Sequence, residues 1–270
     1  MKPDEIGDAG FEEREKDSTT GISVYILTYN EADKIEDALK SVAWADDILV
    51  ADSDSTDGTV EIARRYTDRV VNIPFEGFGK LRNDSVAATT RNWIFSLDAD
   101  ERCSPAARDE ILSIVAADGP ADAYYVPRRN TFMGRKIKHC GWYPDYRQPQ
   151  LFRKGAVIYH DDQVHEGYTV NGNVGHLKNA IEQIPFKDLS QIISKMQNYS
   201  SLGARKNREA GKKTSMVEAL FRGGWAFFRT YILKGGFLDG WPGLVISFYN
   251  MEYTFYKYAK LREMIRTEAK

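Results

Sequence analysis

The 270-residue sequence predicts an α/β fold: a Rossmann-like, mostly parallel sheet with helices on both faces, followed by a C-terminal helical extension. Three observations carry this expectation. Apolar, strand-like runs alternate four times with helix-spaced segments over residues 22–117, the pattern of parallel strands joined by crossover helices. Acidic and hydroxyl residues gather directly after those runs, where open parallel sheets bind ligands. From Asp188 onward the apolar spacing is helical. The organisation expected is a leader over 1–20, an α/β body over 21–186 and a helical extension over 187–270.

Residues 1–20 are polar and acidic, with Ile6 and Phe11 as the sizeable apolar groups, and read as a flexible leader. ISVYILTY (22–29) is a β-rich run bounded by Asn30. EADKIEDALKSVAW (31–44) places Ile35, Ala38, Leu39 and Val42 at helical spacing. DDILVAD (46–52) is a second buried strand, and DGTVEIARRY (57–66) a second helix with Asp57 in the capping position. RVVNIPF (69–75) is a third strand, 78–90 is helix-like, and NWIFSLDAD (92–100) is a fourth strand ending in carboxylates. SPAARDEILSIVAA (104–117) reads as a helix with Ser104 as cap and Pro105 at its first position. Short β runs broken by Gly, Pro and Asn over 122–182 predict an irregular β extension of the same domain. Helices follow over 188–210, 215–233 and 242–264.

Composition narrows the function classes. Hydrophobic residues at 42% and charged residues at 28% are ordinary globular usage, which excludes a wholly disordered, collagen-like or coiled-coil chain. Two cysteines, Cys103 and Cys140, cannot build a disulfide scaffold or a four-cysteine zinc site, and suit a reducing compartment. No uncharged apolar run approaches the length of a spanning helix, and the N-terminus lacks the apolar core of a secretory signal. The net charge of −2 conceals a gradient: residues 187–270 hold 15 Lys and Arg against 7 Asp and Glu, residues 1–186 hold 22 against 32. Residues 219–233 interleave Arg222 and Arg229 with Trp225, Phe227, Phe228 and Tyr231, which suits an anionic membrane interface. The same residues also suit helices packing on the body or on a second subunit. The acidic body and the lack of a recognisable binding motif argue against nucleic acid.

Asp98-Ala99-Asp100 sets two carboxylates two residues apart after an apolar strand. Hard cations such as Mg²⁺ and Mn²⁺ take oxygen ligands and reach substrate phosphates through one or two carboxylates. Taken alone, such a pair also fits a turn or a helix cap. ADSDSTDGT (51–59) is a polar loop that enters a helix; Asp52 there can accept from a base N–H, and the helix N-terminus favours anions.

LTYNEADKIEDALKSV, ILVADSDSTDGTVEIA, GFGKLRNDS and WIFSLDADE, in this order and spacing, resemble family 2 glycosyltransferases of the GT-A fold over residues 21–118. GWYPDYRQPQLFRKG (141–155), VHE (164–166) and GGFLDGWPG (235–243) are similar to the lipopolysaccharide-core β-glucosyltransferase branch. The resemblance implies a GT-A catalytic domain over 21–186, a nucleotide-sugar donor such as UDP-glucose, and inverting transfer of one sugar to a glycolipid or saccharide acceptor. It implies that Asp52 holds the base, with Thr28, Tyr29 and Glu31 flanking the pocket. It implies that Asp98 and Asp100 bind Mg²⁺ or Mn²⁺, Asp100 the more directly. Lys80, Arg82 and Asn83 fall where family members approach the diphosphate and nucleoside; an Arg fork suits phosphate.

Inversion needs one carboxylate to take the acceptor proton as the hydroxyl attacks. The branch resemblance implies Glu166 as the base, with Asp161 and Asp162 as alternatives and His165 either orienting it or helping the metal. Asp145 and Arg147 fall in an acceptor or pyrophosphate segment. Gln150 stands where many branch members carry arginine, which weakens a phosphate role there. His139, Cys140 and Trp142 fit either a pocket wall or loop packing. The processive Gln-X-X-Arg-Trp signature is absent, which favours single-sugar transfer. Together these readings expect a cytoplasmic protein, peripheral on the inner face of the plasma membrane. Two alternatives stay open: a sugar-phosphate nucleotidyltransferase, disfavoured because TYNEADK lacks a glycine-rich activating loop, and a non-catalytic membrane-associated binding protein. Donor sugar, acceptor linkage and oligomeric state are not legible.

Overall fold

The computed structural model describes residues 20–160, 167–186 and 188–268. The leader expected over 1–20 lies, apart from Thr20, outside the described residues. The first half runs β1 (Ile22–Thr28), α1 (Ile35–Ser41), β2 (Asp47–Asp52), α2 (Thr59–Ala63), β3 (Val70–Asn72), α3 (Phe78–Ala88), β4 (Trp93–Asp98), β5 (Glu101–Arg102) and α4 (Pro105–Ala116). The β-rich middle holds β6 (Ala123–Tyr125), β7 (Arg128–Phe132), β8 (Arg135–Lys136), β9 (Pro149–Arg153), β10 (Val157–His160), β11 (Gly167–Val170), β12 (Val174–His176) and β13 (Ile181–Gln183). Three long helices close the chain: α5 (Leu189–Glu209), α6 (Met216–Phe228) and α7 (Trp241–Glu268).

The main sheet has seven strands in the order β12-β6-β9-β4-β1-β2-β3. β1 pairs in parallel with β2 and β4, and β2 with β3, while β9 runs antiparallel to β4 and β6. All seven residues of β1 are buried, as a central strand covered on both faces must be. Alternate side chains serve two cores. Ile22, Val24 and Ile26 join Ile35, Leu39, Ala107 and Ile111 from α1 and α4. Tyr25 and Leu27 join Leu49, Leu81 of α3, Phe152 and Val157 on the other face. A second sheet, β5-β13-β7-β8, stands beside the first, and β10 pairs with β11. The β extension thus supplies β6, β9 and β12 to the main sheet and most of the second.

Several local expectations change. The helix expected over 31–44 shortens to α1, because the Glu31 carbonyl accepts from both Lys34 N and Ile35 N, each at 2.9 Å, and makes a turn. The helix expected over 57–66 is α2; Gly58, at φ 90°, stands in the N-cap position, and Asp57 instead accepts from Thr59 N and Ala32 N. The third strand narrows from 69–75 to β3. Ser104 caps α4 through Ala107 N at 3.2 Å, with Pro105 at the first position as expected. The helix expected over 215–233 is α6 followed by a π-helical turn over Arg229–Leu233, and a 3-10 turn over Gly236–Asp239 leads into α7.

Among the C-terminal helices, α7 packs against both α5 and α6. Phe132, Ile137, Cys140, Ile192 and Ile246 form a third core that joins this helical layer to the second sheet.

Candidate functional site

The register of the parallel strands places the functional side chains. Thr28 pairs with Asp52 and Leu27 with Asp98, so the carboxyl ends of β1, β2 and β4 lie side by side. Asp52 is buried, and its Oδ2 accepts from Ser55 N at 2.9 Å. Asp52 Oδ1 and the neighbouring Thr28 Oγ1 are buried with no hydrogen-bond partner among the described residues. Unpaired buried oxygens are costly, and mark a place where a donor belongs.

The loops after β1 and β2 are sewn together. Asn30 N donates to Ser55 Oγ (2.8 Å), Glu31 N to Thr59 Oγ1 (2.9 Å), and Thr56 N to Asn30 Oδ1 (2.8 Å). Asn30 takes φ 52°, a left-handed conformation that asparagine tolerates. The side chains of Ser55, Asp57 and Thr59 are therefore acceptors for the opposite loop's backbone. Tyr29 projects, exposed, at the rim, and Glu31 pairs with Lys34 at 2.7 Å.

Asp98 and Asp100 follow β4. Asp98 Oδ1 takes a 3.3 Å contact from Nη2 of buried Arg82, whose Nη1 donates to Ser96 Oγ. Asp100 accepts from Gln183 Nε2 at 3.3 Å. Its carboxyl is pushed up to about 7, first by desolvation, then by the Glu101 and Asp98 charges. Lys195, reaching from α5, is the cation that opposes this shift. It is anchored by the Pro185 carbonyl at 3.0 Å and by the Phe186 ring, and burial pulls its own pKa down.

Beneath the dyad lies a group that the sequence reading missed. Glu101 is fully buried and accepts from Arg128 Nε (2.5 Å), Gln150 Nε2 (3.0 Å) and the Asp98 backbone N (3.0 Å). Desolvation pushes its pKa up, and Arg128 opposes that shift. This buried pair holds the turn on which the dyad stands. One signal was visible in the sequence: Glu101 directly follows Asp98-Ala99-Asp100, whereas the burial of Arg128 shows only in the structure. Lys195 left no local signal, since a helix brings it from 95 positions beyond Asp100. Gln150, read as a departure from a phosphate-binding arginine, is a buried support that also donates to the Ser96 carbonyl.

Other candidates fall nearby. Lys80 lies on the α3 surface between Glu76 (3.7 Å) and Asp84 (2.8 Å). Asn83 clasps the Tyr159 backbone in both directions, at 2.8 and 3.0 Å, and so holds β10. Asp145 pairs with Arg147 at 2.7 Å. Asp239, buried in the 3-10 turn, accepts from the backbone N of Lys138 and His139 and contacts His139 Nδ1 at 3.0 Å. Glu166, with Asp161, Asp162 and His165, lies outside the described residues; the flanking His160 and Gly167 are register partners of β10 and β11.

The dyad fits a divalent cation. Its donors are all oxygen, as Mg²⁺ and Mn²⁺ prefer. A carboxyl held up near 7 is one that a nearby cation would keep ionised. Among the described residues no group of three or more His, Cys, Asp and Glu could hold a metal ion, so the dyad offers two carboxylates and no further such ligand there.

A sequence model described as "Glycosyl transferase family 2" matches residues 23–174. The chain is 28% identical over 252 residues to the lipopolysaccharide core biosynthesis glycosyltransferase LpsC of Rhizobium meliloti (strain 1021), covering 89% of this chain and 91% of that protein. It is also 28% identical over 266 residues to an uncharacterized glycosyltransferase of Rickettsia bellii (strain RML369-C), covering 91% and 87%. Among solved structures it is similar to S. aureus TarS 1–349 in complex with UDP-GlcNAc, at 14% identity, 92% coverage of each chain and a TM-score of 0.48. Glucosyl-3-phosphoglycerate synthase from Mycobacterium tuberculosis, in complex with Mn²⁺ and UDP-glucose, matches at 25% identity over 41% of this chain and 44% of its own, with a TM-score of 0.37.

Proposed function

Because this chain belongs to glycosyl transferase family 2, and is therefore a glycosyltransferase, we propose that it moves one sugar from a nucleotide-sugar donor to a glycolipid or lipopolysaccharide-core acceptor, inverting the anomeric carbon. The observation that carries the donor reading is the pair of unsatisfied buried oxygens, Asp52 Oδ1 and Thr28 Oγ1, at adjacent strand ends. They offer acceptors to a base N–H, with Tyr29 and Glu31 in the loop that follows Thr28. UDP-glucose is the first donor to test.

Each side chain has a task on this reading. Asp98 and Asp100 would hold Mg²⁺ or Mn²⁺, which would supply positive charge against the leaving diphosphate. Arg82 adds a fixed cation beside Asp98, Lys80 stands further out on α3, and Asn83 acts by holding β10. Glu166 takes the acceptor proton as the hydroxyl oxygen bonds to the anomeric carbon and the bond to the diphosphate oxygen breaks. The likeness to LpsC supports a lipopolysaccharide-core acceptor. The basic, aromatic helices support a cytoplasmic protein working peripherally on the inner face of the plasma membrane.

A thermal-shift panel of nucleotides and nucleotide sugars with Mn²⁺ tests the donor reading, since a ligand that binds the native state raises the melting temperature. UDP-sugars are expected to raise it most. A panel with no responding nucleotide removes the proposed donor site.

A further inference from the structure

The inward face of α6 is committed to α7: Ala219, Gly223 and Ala226 are buried, and a Cβ on Gly223 would stand 3.1 Å from Phe255 Cβ. The outward face carries Val217, Leu220, Phe221, Trp225 and Phe228 at i, i+3, i+4 spacing. These side chains line one shallow apolar groove; Phe221 is 76% and Trp225 57% exposed. Exposure of large apolar groups continues at Leu233, the last residue of the π-helical turn, and past it at Phe237, Leu238 and Trp241. An apolar surface of this extent marks an interaction site.

Charge indicates what covers it. Lys212 and Lys213 precede α6, and Arg229 and Lys234 follow it, all exposed. The two carboxylates within 212–241 are both engaged: Glu218 pairs with Arg222 at 2.7 Å, and Asp239 is buried against 138–139. We propose that this face docks on an anionic phospholipid bilayer, with Phe221, Trp225 and Phe228 entering the headgroup boundary and the flanking cations meeting lipid phosphate. The inference deepens the membrane part of the proposed function, on which it rests, by naming the surface that makes contact. A second copy of this chain fits less well, because pairing this face with itself would bring cations of one copy toward cations of the other, with both carboxylates of 212–241 already engaged. With 13 residues, α6 is too short to span a bilayer, and no helix among the described residues is long and apolar enough to cross one. Lying in the interface plane is the geometry left to such a helix.

The docking face is tied to the segment 138–140. The Lys234 carbonyl accepts from Cys140 N at 3.0 Å, and Asp239 holds the backbone of Lys138 and His139. These bonds join the end of the apolar face to the segment that runs on to Asp145 and Arg147. A docked molecule therefore holds that segment at a set height above the lipid.

Co-sedimentation of the full chain with phosphatidylcholine–phosphatidylglycerol vesicles, against phosphatidylcholine alone, tests the surface. Binding to the anionic vesicles is expected. Phe221→Ser with Trp225→Ser should weaken it by roughly tenfold or more, with unchanged circular dichroism and melting temperature. Lys212→Glu with Lys213→Glu should erase the preference for anionic vesicles. Wild-type protein that stays off anionic vesicles at low salt overturns the proposal, as does full binding by the double serine variant. A dimer by light scattering that the double serine variant splits, without vesicle binding, assigns the face to a second copy and overturns it too. Melting shifts with UDP on the same samples separate the two readings: vesicle binding without a nucleotide shift sinks the donor site and upholds the docking face.

Discussion

Asp52 uses its two carboxylate oxygens differently. Oδ2 closes the turn through Ser55 N, while Oδ1 is buried with nothing to accept from among the described residues. Asp52→Asn separates these uses. An amide oriented with its oxygen toward Ser55 preserves the turn and turns an N–H toward the base, where a donor would face a donor. UDP affinity, followed by titration calorimetry, should fall by about tenfold or more, while the melting temperature of the free protein moves little. Unchanged affinity would take Asp52 out of the nucleotide pocket. The placement of Asp52, Asp98 and Asp100 at strand ends was legible because a carboxylate that closes an apolar run is conspicuous. Asn83 and Lys80 show the limit of such reading. A helix face lists its polar residues without saying which one turns back onto a strand and which one meets a neighbouring carboxylate.

Secondary-structure elements were easiest to read where burial is two-sided. β1, β2 and β4 are nearly continuous apolar runs, and only a covered parallel sheet wants such strands. The positions of β6, β9 and β12 in the main sheet, and of β13 between β5 and β7, could not be read. Those pairings join segments far apart in sequence, and no periodicity records them. The Glu101–Arg128 pair is one consequence. It links β5 to β7, two strands that do not touch in the sheet order, and it supports the dyad from below. Arg128→Met would strand a buried carboxylate and should lower unfolding stability by ~3–5 kcal/mol in urea denaturation. Adding Glu101→Gln should recover part of the loss, because a neutral amide still accepts from Asp98 N. If the single substitution costs nothing, the pair is not what holds that turn.

The molecule as a whole carries a pH signature from Asp100. Its folded pKa, about 7, lies above the ordinary carboxylate value of 3.8, so the folded state holds this proton more tightly than the unfolded one. This contribution to stability is present at acid pH and lost as pH rises from near 4 through 7. Metal-free protein should therefore lose melting temperature across that window by several degrees, roughly 2–4 °C per kcal/mol. Mn²⁺ should restore it at pH 8. Asp100→Asn should flatten the profile and abolish the Mn²⁺ response; a profile unaltered by the substitution would assign the pH dependence elsewhere. The stitched loops after β1 and β2 carry one more consequence. Their hydroxyl and carboxylate stitches tie the two loops to each other, so the place proposed for the base is bordered by loops that brace one another. On the proposed reading, a nucleotide binding there would require little loop rearrangement and so would lose little chain freedom.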